Sequence, residues 1–483
     1  MKRVAFLSFD WDYKIVSEYY LGLQEHLRDQ HDIQVVIFNS FAHYYASHQP
    51  RKSTFEIFSL CELGEYDGFI VQGNRSWPPN LRQEFVNKAV ALGKPVVSIN
   101  YDLIGAHSVG TNNYLEEYEL VSRILGEREC KHPVFVNGLK TSVEAQARAK
   151  GYRDACEQLG VEDVRFYQAN WQKSAGVVTA KKMLRKRYDL PDVVFCCNDD
   201  LAVGVQETLQ DAGVDVPDTV MVTGFDNRVV GQRSKPRITT VDRDYRTIAV
   251  TALGMVTQLI DGEDVPAEVF SPARHILAES CGYGVESDAS SESDCRPDEG
   301  LDRFYEILSD FQFAVLGSES LYTIFENCEQ FARELDCPNA YISLNDGYIN
   351  QVAPGDANAY GRLSHLVACR GRARTFSCDD EHVYTTYETR RFLPPEITFD
   401  APLYMLSPLR HNEACIGLLI TEGAPKVLRY GFNAFFLSVL SSSIEAARKS
   451  DLLRMAHARL GYLTRPAFGR MSRGQGAAPI DPR

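Results

Sequence analysis

Apolar residues along this chain fall into short continuous runs, separated by longer stretches in which they recur every three or four positions. Val4–Phe9, Ile33–Phe38, Asp67–Val71, Pro95–Ile99, Val134–Val136, Val193–Cys197 and Val220–Thr223 have strand length and no polar alternation. Runs of this kind belong to strands covered on both faces. Between them, Ile15–Leu27 carries Val16, Tyr19, Tyr20, Leu23 and Leu27 at helical spacing, Pro78–Leu92 repeats the pattern, and Phe55–Leu63 also reads as helical. Strands alternating with helices predict parallel, doubly wound α/β sheets. The pattern occurs twice, with Pro95–Val97 in the first half and Asp192–Phe195 in the second, which predicts two lobes facing each other across a cleft.

The stretch Val193–Asn227 is the most informative. Its first strand ends at Asn198-Asp199-Asp200, a helical pattern follows on Leu201, Val205 and Leu209, Gly213 and Val216-Pro217 turn the chain, and a second strand ends at Gly224-Phe225-Asp226-Asn227. Polar residues thus stand at the carboxyl ends of both strands, where open parallel sheets bind their ligands.

Beyond Gly284 the pattern changes. Gly284–Gly300 is rich in Ser, Asp, Glu and Gly and reads as a linker. Helical spacing resumes over Leu301–Leu316 and Leu321–Leu335, strands follow at Ala340–Leu344, Pro402–Leu409 and Glu413–Thr421, and a long helical pattern covers Phe432–Leu463. The expected organisation is a bilobed ligand-binding domain over 1–283, a disordered linker over 284–300, an α+β domain over 301–448, a helical extension over 449–463 and a disordered tail over 464–483.

Composition narrows the function. A net charge of −14 argues against a broadly basic nucleic-acid surface and leaves DNA binding an open question. Arg465, Arg470, Arg473 and Arg483 make the tail basic, but without a folded reader they offer weak, sequence-blind affinity at most. The twelve cysteines contain no CxxC and read as reduced core thiols, with neither disulfide nor metal implied. No apolar run is long enough to span a membrane, and the first one is short for a signal peptide, so the expected location is the cytoplasm. No nucleophile motif, Walker loop or HExxH is present, so neither an enzyme nor a cofactor is expected.

Several short motifs, in order, carry a family resemblance: Ser108-Val109-Gly110-Thr111-Asn112-Asn113, Arg148-Ala149-Lys150-Gly151-Tyr152, Cys197-Asn198-Asp199 with Ala202 and Gly204, then Gly213, Val216-Pro217, Gly224-Phe225-Asp226, Pro236–Val241 and Leu259–Gly262. In these the first 283 residues resemble the effector-binding core of LacI/GalR regulators, a type I periplasmic-binding-protein fold. The resemblance implies a sugar, nucleoside or purine held between the lobes by Arg148, Asn198, Asp199 and Asp226, with Asp10, Trp11, Tyr13, Asn74, Tyr101 and Trp171 as further contacts. Plainer roles stand beside these: Asp199 as a helix cap, Asp226 as a turn residue, Arg148 as a solvated helix residue, and the tryptophans as packing. The family places a helix-turn-helix DNA reader before the first strand, whereas here the strand comes first, so the resemblance implies ligand sensing more than transcription control.

Residues 318–448, with the hairpin-like Leu409–Leu418, resemble a GAF-type sensor domain, which implies dimerisation or relay. Leu463-Thr464-Arg465-Pro466-Ala467-Phe468 resembles the opening of diguanylate cyclase domains, although no GGDEF follows. The leading expectation is a cytoplasmic regulatory protein that closes on a small polar metabolite and signals through a homodimeric GAF-like module to a downstream output protein. The alternatives are a LacI-type transcriptional regulator acting on DNA through an unrecognised element or partner, and the truncated sensor part of a diguanylate cyclase or kinase.

Overall fold

The computed structural model describes residues 1–9, 13–41, 54–72, 77–128, 130–185, 189–284, 299–318, 320–334, 339–349, 359–370, 385–412, 414–423 and 433–463. Most of the expected linker and all of the expected tail, with its four arginines, lie outside them.

Five strands open the chain: β1 (Lys2–Ser8), β2 (Ile33–Asn39), β3 (Gly68–Gln72), β4 (Val96–Ile99) and β5 (His107–Gly110). The next four are β6 (Pro133–Asn137), β7 (Arg165–Gln168), β8 (Val193–Cys196) and β9 (Met221–Thr223). Then come β10 (Thr240–Asp242), β11 (Glu268–Phe270) and β12 (Arg274–Ile276). The first lobe is the parallel series β11-β5-β4-β3-β1-β2, and the second is the parallel series β7-β6-β8-β9. These are the expected doubly wound sheets. Where Phe55–Leu63 reads as one helix, the chain makes two short 3₁₀ turns, Glu56–Leu60 and Leu63–Glu65, with Gly64 inside the second.

The chain crosses between lobes three times. It leaves β5 through Thr111-Asn112 for the helix Asn113–Glu127, returns after β10 through Arg243-Asp244 to the helix Tyr245–Ile260, and leaves β11 for β12 through residues 271–273. Arg243 Nε donates to Thr111 Oγ1 at 3.3 Å and the Ser271 N–H donates to the Gly110 carbonyl at 2.8 Å, so the crossings are tied to one another.

The C-terminal part contributes β13 (Asn339–Asn345), β14 (Leu363–Arg370), β15 (Thr385–Glu388), β16 (Leu403–His411) and β17 (Ala414–Glu422) as an antiparallel set ordered β16-β17-β13-β14-β15. Helices Glu299–Leu316, Leu321–Glu334 and Asn433–Leu463 accompany it. This sheet is continuous with that of the first lobe: β16 pairs in parallel with β2, from Leu403 opposite Val35 to Leu406 opposite Phe38, giving eleven strands in one sheet. All seven residues of β2 are buried, a pattern foreign to an open sheet edge. The side-chain amide of Gln34 strengthens the join by donating to the Phe399 and Ala401 carbonyls, each at 3.0 Å.

The cores follow the sheets and not the order of the chain. On one face, Val4, Phe6 and Val35 share a core with Phe311, Ile324, Met405 and Leu440; on the other, Leu7, Val36 and Phe38 share one with Tyr341, Tyr404 and Leu406. The second lobe has a core of its own around Phe135, Tyr152, Phe195 and Val205.

Candidate ligand site

The site grows from the carboxyl ends of β8 and β9 and from the crossing after β10. At the end of β8, Asn198 caps the helix Asp199–Asp211: its Oδ1 accepts from the Leu201 N–H at 3.0 Å, and its Nδ2 donates to the Trp171 carbonyl at 3.0 Å. Asp199 is fully buried and accepts from the Thr240 hydroxyl at 2.6 Å and from the Arg228 N–H, tying this turn to β10 and to the loop after β9. This turn and the loop after β9 lie so close that a Cβ at Gly224 would stand 2.2 Å from Asp199 Oδ1, which only glycine avoids.

Asp226 adopts a φ of 93°, a strained backbone for an L residue, and its carboxylate lies between two guanidiniums. Arg148 Nη2 is 3.4 Å from Asp226 Oδ1 and Arg243 Nη1 is 3.6 Å from the same oxygen. Arg148 is 1% exposed; its Nε donates to Asn113 Oδ1 at 2.9 Å, its Nη1 donates to the Cys197 carbonyl, and its guanidinium lies 3.6 Å from the centre of the Phe225 ring. Arg243 is also buried and donates to Glu144 Oε1 at 2.8 Å. Burial opposes both positive charges, but Asp226 beside Arg148, and Tyr245, Glu144 and Asp226 beside Arg243, hold both guanidiniums above their ordinary range. The side chain of Asp226 retains 18% exposure, so it is the accessible member of the trio.

Trp171 is buried with its ring 5.9 Å from the Arg148 guanidinium, against Gly138, where any Cβ would meet the indole at 2.8 Å. Its indole N–H is buried without a hydrogen bond. Glu117 is 1% exposed with neither carboxylate oxygen bonded, and burial pushes it up to about 8 against the pull of Arg148.

The structure therefore gathers Arg148, Trp171, Asn198 and Asp226, and directs Asp199 inward to hold the turns. Tyr101 belongs to a different contact, its ring 4.7 Å from the Arg82 guanidinium in the first lobe. Asp10, Trp11 and Asn74 lie outside the described residues, as does the side chain of Tyr13. Arg243 is not among the sequence candidates, although a charged residue just past a strand end, after Val241-Asp242, is a readable signal. Among the described residues, Cys61, Cys156, Cys196, Cys197, Cys281, Cys328 and Cys415 are buried, burial raising Cys156 to about 11 and Cys197 to about 12. Among the described residues, Glu116, Glu119 and His275 bring possible metal-ligand atoms within 4.8 Å of one another, but His275 Nε2 and Glu116 Oε2 at 3.1 Å already form a pair. No helix among the described residues is long and apolar enough to cross a membrane.

Residues 123–281 match the periplasmic binding protein-like domain family, and this region contains the whole of the second lobe's sheet. The chain is 27% identical over 142 residues to catabolite control protein A of Priestia megaterium, covering 29% of this chain and 42% of that protein. It is 32% identical over 133 residues to the HTH-type transcriptional regulator GalR of Escherichia coli strain K12, covering 27% and 38% respectively. The chain thus spans less than half the length of each. Among solved structures it is similar to a transcriptional regulator CelR–cellobiose complex, with 19% identity, a TM-score of 0.47 and coverage of 58% of this chain and 84% of that one. Over the second lobe the chain is a periplasmic-binding-protein-like α/β unit, similar to the matched stretches of catabolite control protein A and GalR.

Proposed function

We propose that the cleft beside Asp226 binds a small polar metabolite of the sugar, nucleoside or purine class, and that this binding regulates transcription in the manner of LacI-type proteins. The observation that carries the ligand reading is a partly exposed carboxylate set between two buried guanidiniums, beside an indole N–H that has no partner. The carboxylate accepts from hydroxyl or ring N–H groups, the guanidinium fork donates, and the indole offers both a donor and an apolar face.

The transcriptional reading draws its support from the relatives, one of which is named as an HTH-type transcriptional regulator. It stands ahead of the expectation that the chain only senses ligand and relays closure through a GAF-like module. It requires a homodimer and a DNA reader supplied by an element or partner not yet assigned. Asp226 is bonded to a crossing between lobes, so a ligand that binds the closed form better shifts the lobe equilibrium by that difference in affinity.

A second reading, relay into the C-terminal part, is favoured by one observation: β16 extends the first lobe's sheet, so a movement of that lobe carries the C-terminal strands with it. Isothermal titration of the full chain with a panel of sugars, nucleosides and purines tests the ligand reading, which is abandoned if the folded protein binds no member. Mobility-shift assays on upstream DNA from the source genome test the transcriptional one. The expected result is binding that weakens with salt and responds to the bound metabolite.

A further inference from the structure

A cavity of about 1060 Å³ opens on the seam between the first lobe and the C-terminal part, remote in sequence from every residue of the cleft. One wall comes from the first lobe, with Arg3 of β1, Gln34 of β2 and Tyr66. The other comes from Tyr360 and Arg362, just before β14, and from the segment Glu388–Phe392 with Phe399. Its size is that of a small-molecule pocket.

Three features point to what it holds. Tyr66 is 1% exposed, lines the cavity, and has a buried hydroxyl without a hydrogen bond; the Tyr360 hydroxyl is buried and unbonded in the same way. Buried phenols normally find partners, so two unsatisfied ones lining a single cavity mark donors and acceptors left for a ligand. The rim is cationic in a chain of net charge −14: Arg3, Arg362, Arg390 and Arg391 outnumber Glu62, Glu65 and Glu388 by one. Two of its pairs are loose, since Arg362 and Arg391 share Glu388 at 3.8 and 4.0 Å and both arginines are well exposed. A guanidinium held so weakly can turn to a stronger anion. Phe392 and Phe399 provide an aromatic wall.

We propose that this seam cavity is a second small-molecule site, which takes a planar aromatic ring bearing an anionic group. The arginines hold the phosphate or carboxylate, the phenols of Tyr66 and Tyr360 bond polar atoms of the ring, and Phe392 and Phe399 cover its faces. Because the walls belong to both parts of the molecule, the ligand fastens the β2–β16 seam.

The test is titration of the full chain with 5′-AMP as the phosphate-bearing probe and 4-hydroxybenzoate as the carboxylate-bearing one, with adenosine and inorganic phosphate as controls. At least one probe is expected to bind saturably and at least tenfold more tightly than either control. Tyr66→Phe should weaken that binding about fivefold while leaving the melting temperature unchanged or raised, because the hydroxyl it removes bonds to nothing. Arg391→Ala should weaken it about tenfold, and Asp226→Asn, in the cleft, by less than twofold. The proposal is overturned if neither probe binds, if inorganic phosphate binds as well as the ring-bearing probes, or if Tyr66→Phe and Arg391→Ala both retain full affinity.

Discussion

The two lobes are built alike but are held differently. The second lobe is self-contained: its four strands close on a private core, and its polar site sets a partly exposed carboxylate between two buried guanidiniums. The first lobe shares its sheet and both of its cores with residues more than three hundred positions away, and along that seam Arg362 and Arg391 are exposed and share Glu388 loosely. The family match over residues 123–281 takes in the whole of the self-contained lobe's sheet, together with β11 and the helix Tyr245–Ile260 of the first lobe.

The strongest way to break this contrast is to remove a buried charge from the second lobe. Arg148→Met leaves Asp226 with only one of its two guanidiniums and takes the donors from Asn113 and the Cys197 carbonyl, and should cost about 3–5 kcal/mol. Hydrogen exchange reads this as a loss of protection in β6 and β8, with β1 and β3 little changed. Leu406→Ala, in the seam strand β16, should cost about 3 kcal/mol by leaving a cavity where Leu406 is wholly buried. Here the outcome is reversed: amides of β1, β3, β13 and β17 lose protection together and those of β6 and β8 do not. Independent loss in β13 and β17 alone would mean that the shared sheet carries no cooperativity.

The smallest effect concerns Glu117. Burial raises its folded-state value from 4.5 to about 8, so between those values the unfolded chain binds fewer protons at this position than the folded one. Stability of the second lobe therefore falls as pH rises from about 4.5 to about 8. Glu117→Gln keeps the shape and removes the titration, and should add about 2 kcal/mol at pH 7 while flattening that slope. Exchange measured in β6 and β8 at several pH values checks both the sign and the window.

Much of the second lobe is legible in the sequence because its chemistry is local. The run Val193–Cys197, the polar Asn198-Asp199 and the turn at Gly224–Asn227 declare strand, helix start and loop without help from distant residues, although the cap is Asn198 and not the expected Asp199. Arg148 and Asp226 are equally visible as motif positions, and Trp171 stands among the further contacts that the resemblance implies. Arg243 is harder to read because its importance lies in its reach across the crossings to Thr111, Glu144 and Asp226, which no spacing encodes. The doubled role of β2 also lies beyond hydropathy. An apolar run with Gln34 as its one polar interruption says that both faces are covered, but not that one neighbour is β1 and the other a strand near position 405. Strands β14 and β15 escape the pattern for a related reason: Leu363–Arg370 has its apolar run broken by Ser364 and His365, Thr385–Glu388 is short and polar, and both become strands by pairing with β13 and with each other.

The central claim is that Asp226, between its two arginines, is where a metabolite is held. It is tested most directly by calorimetric titration of the wild-type chain and of Asp226→Ala with the same panel of sugars, nucleosides and purines. The expected result is saturable binding of at least one compound by the wild type and at least a tenfold loss in the variant, with the variant still folded by circular dichroism. Equal affinity in the two proteins, or no binding by a folded wild type, contradicts it.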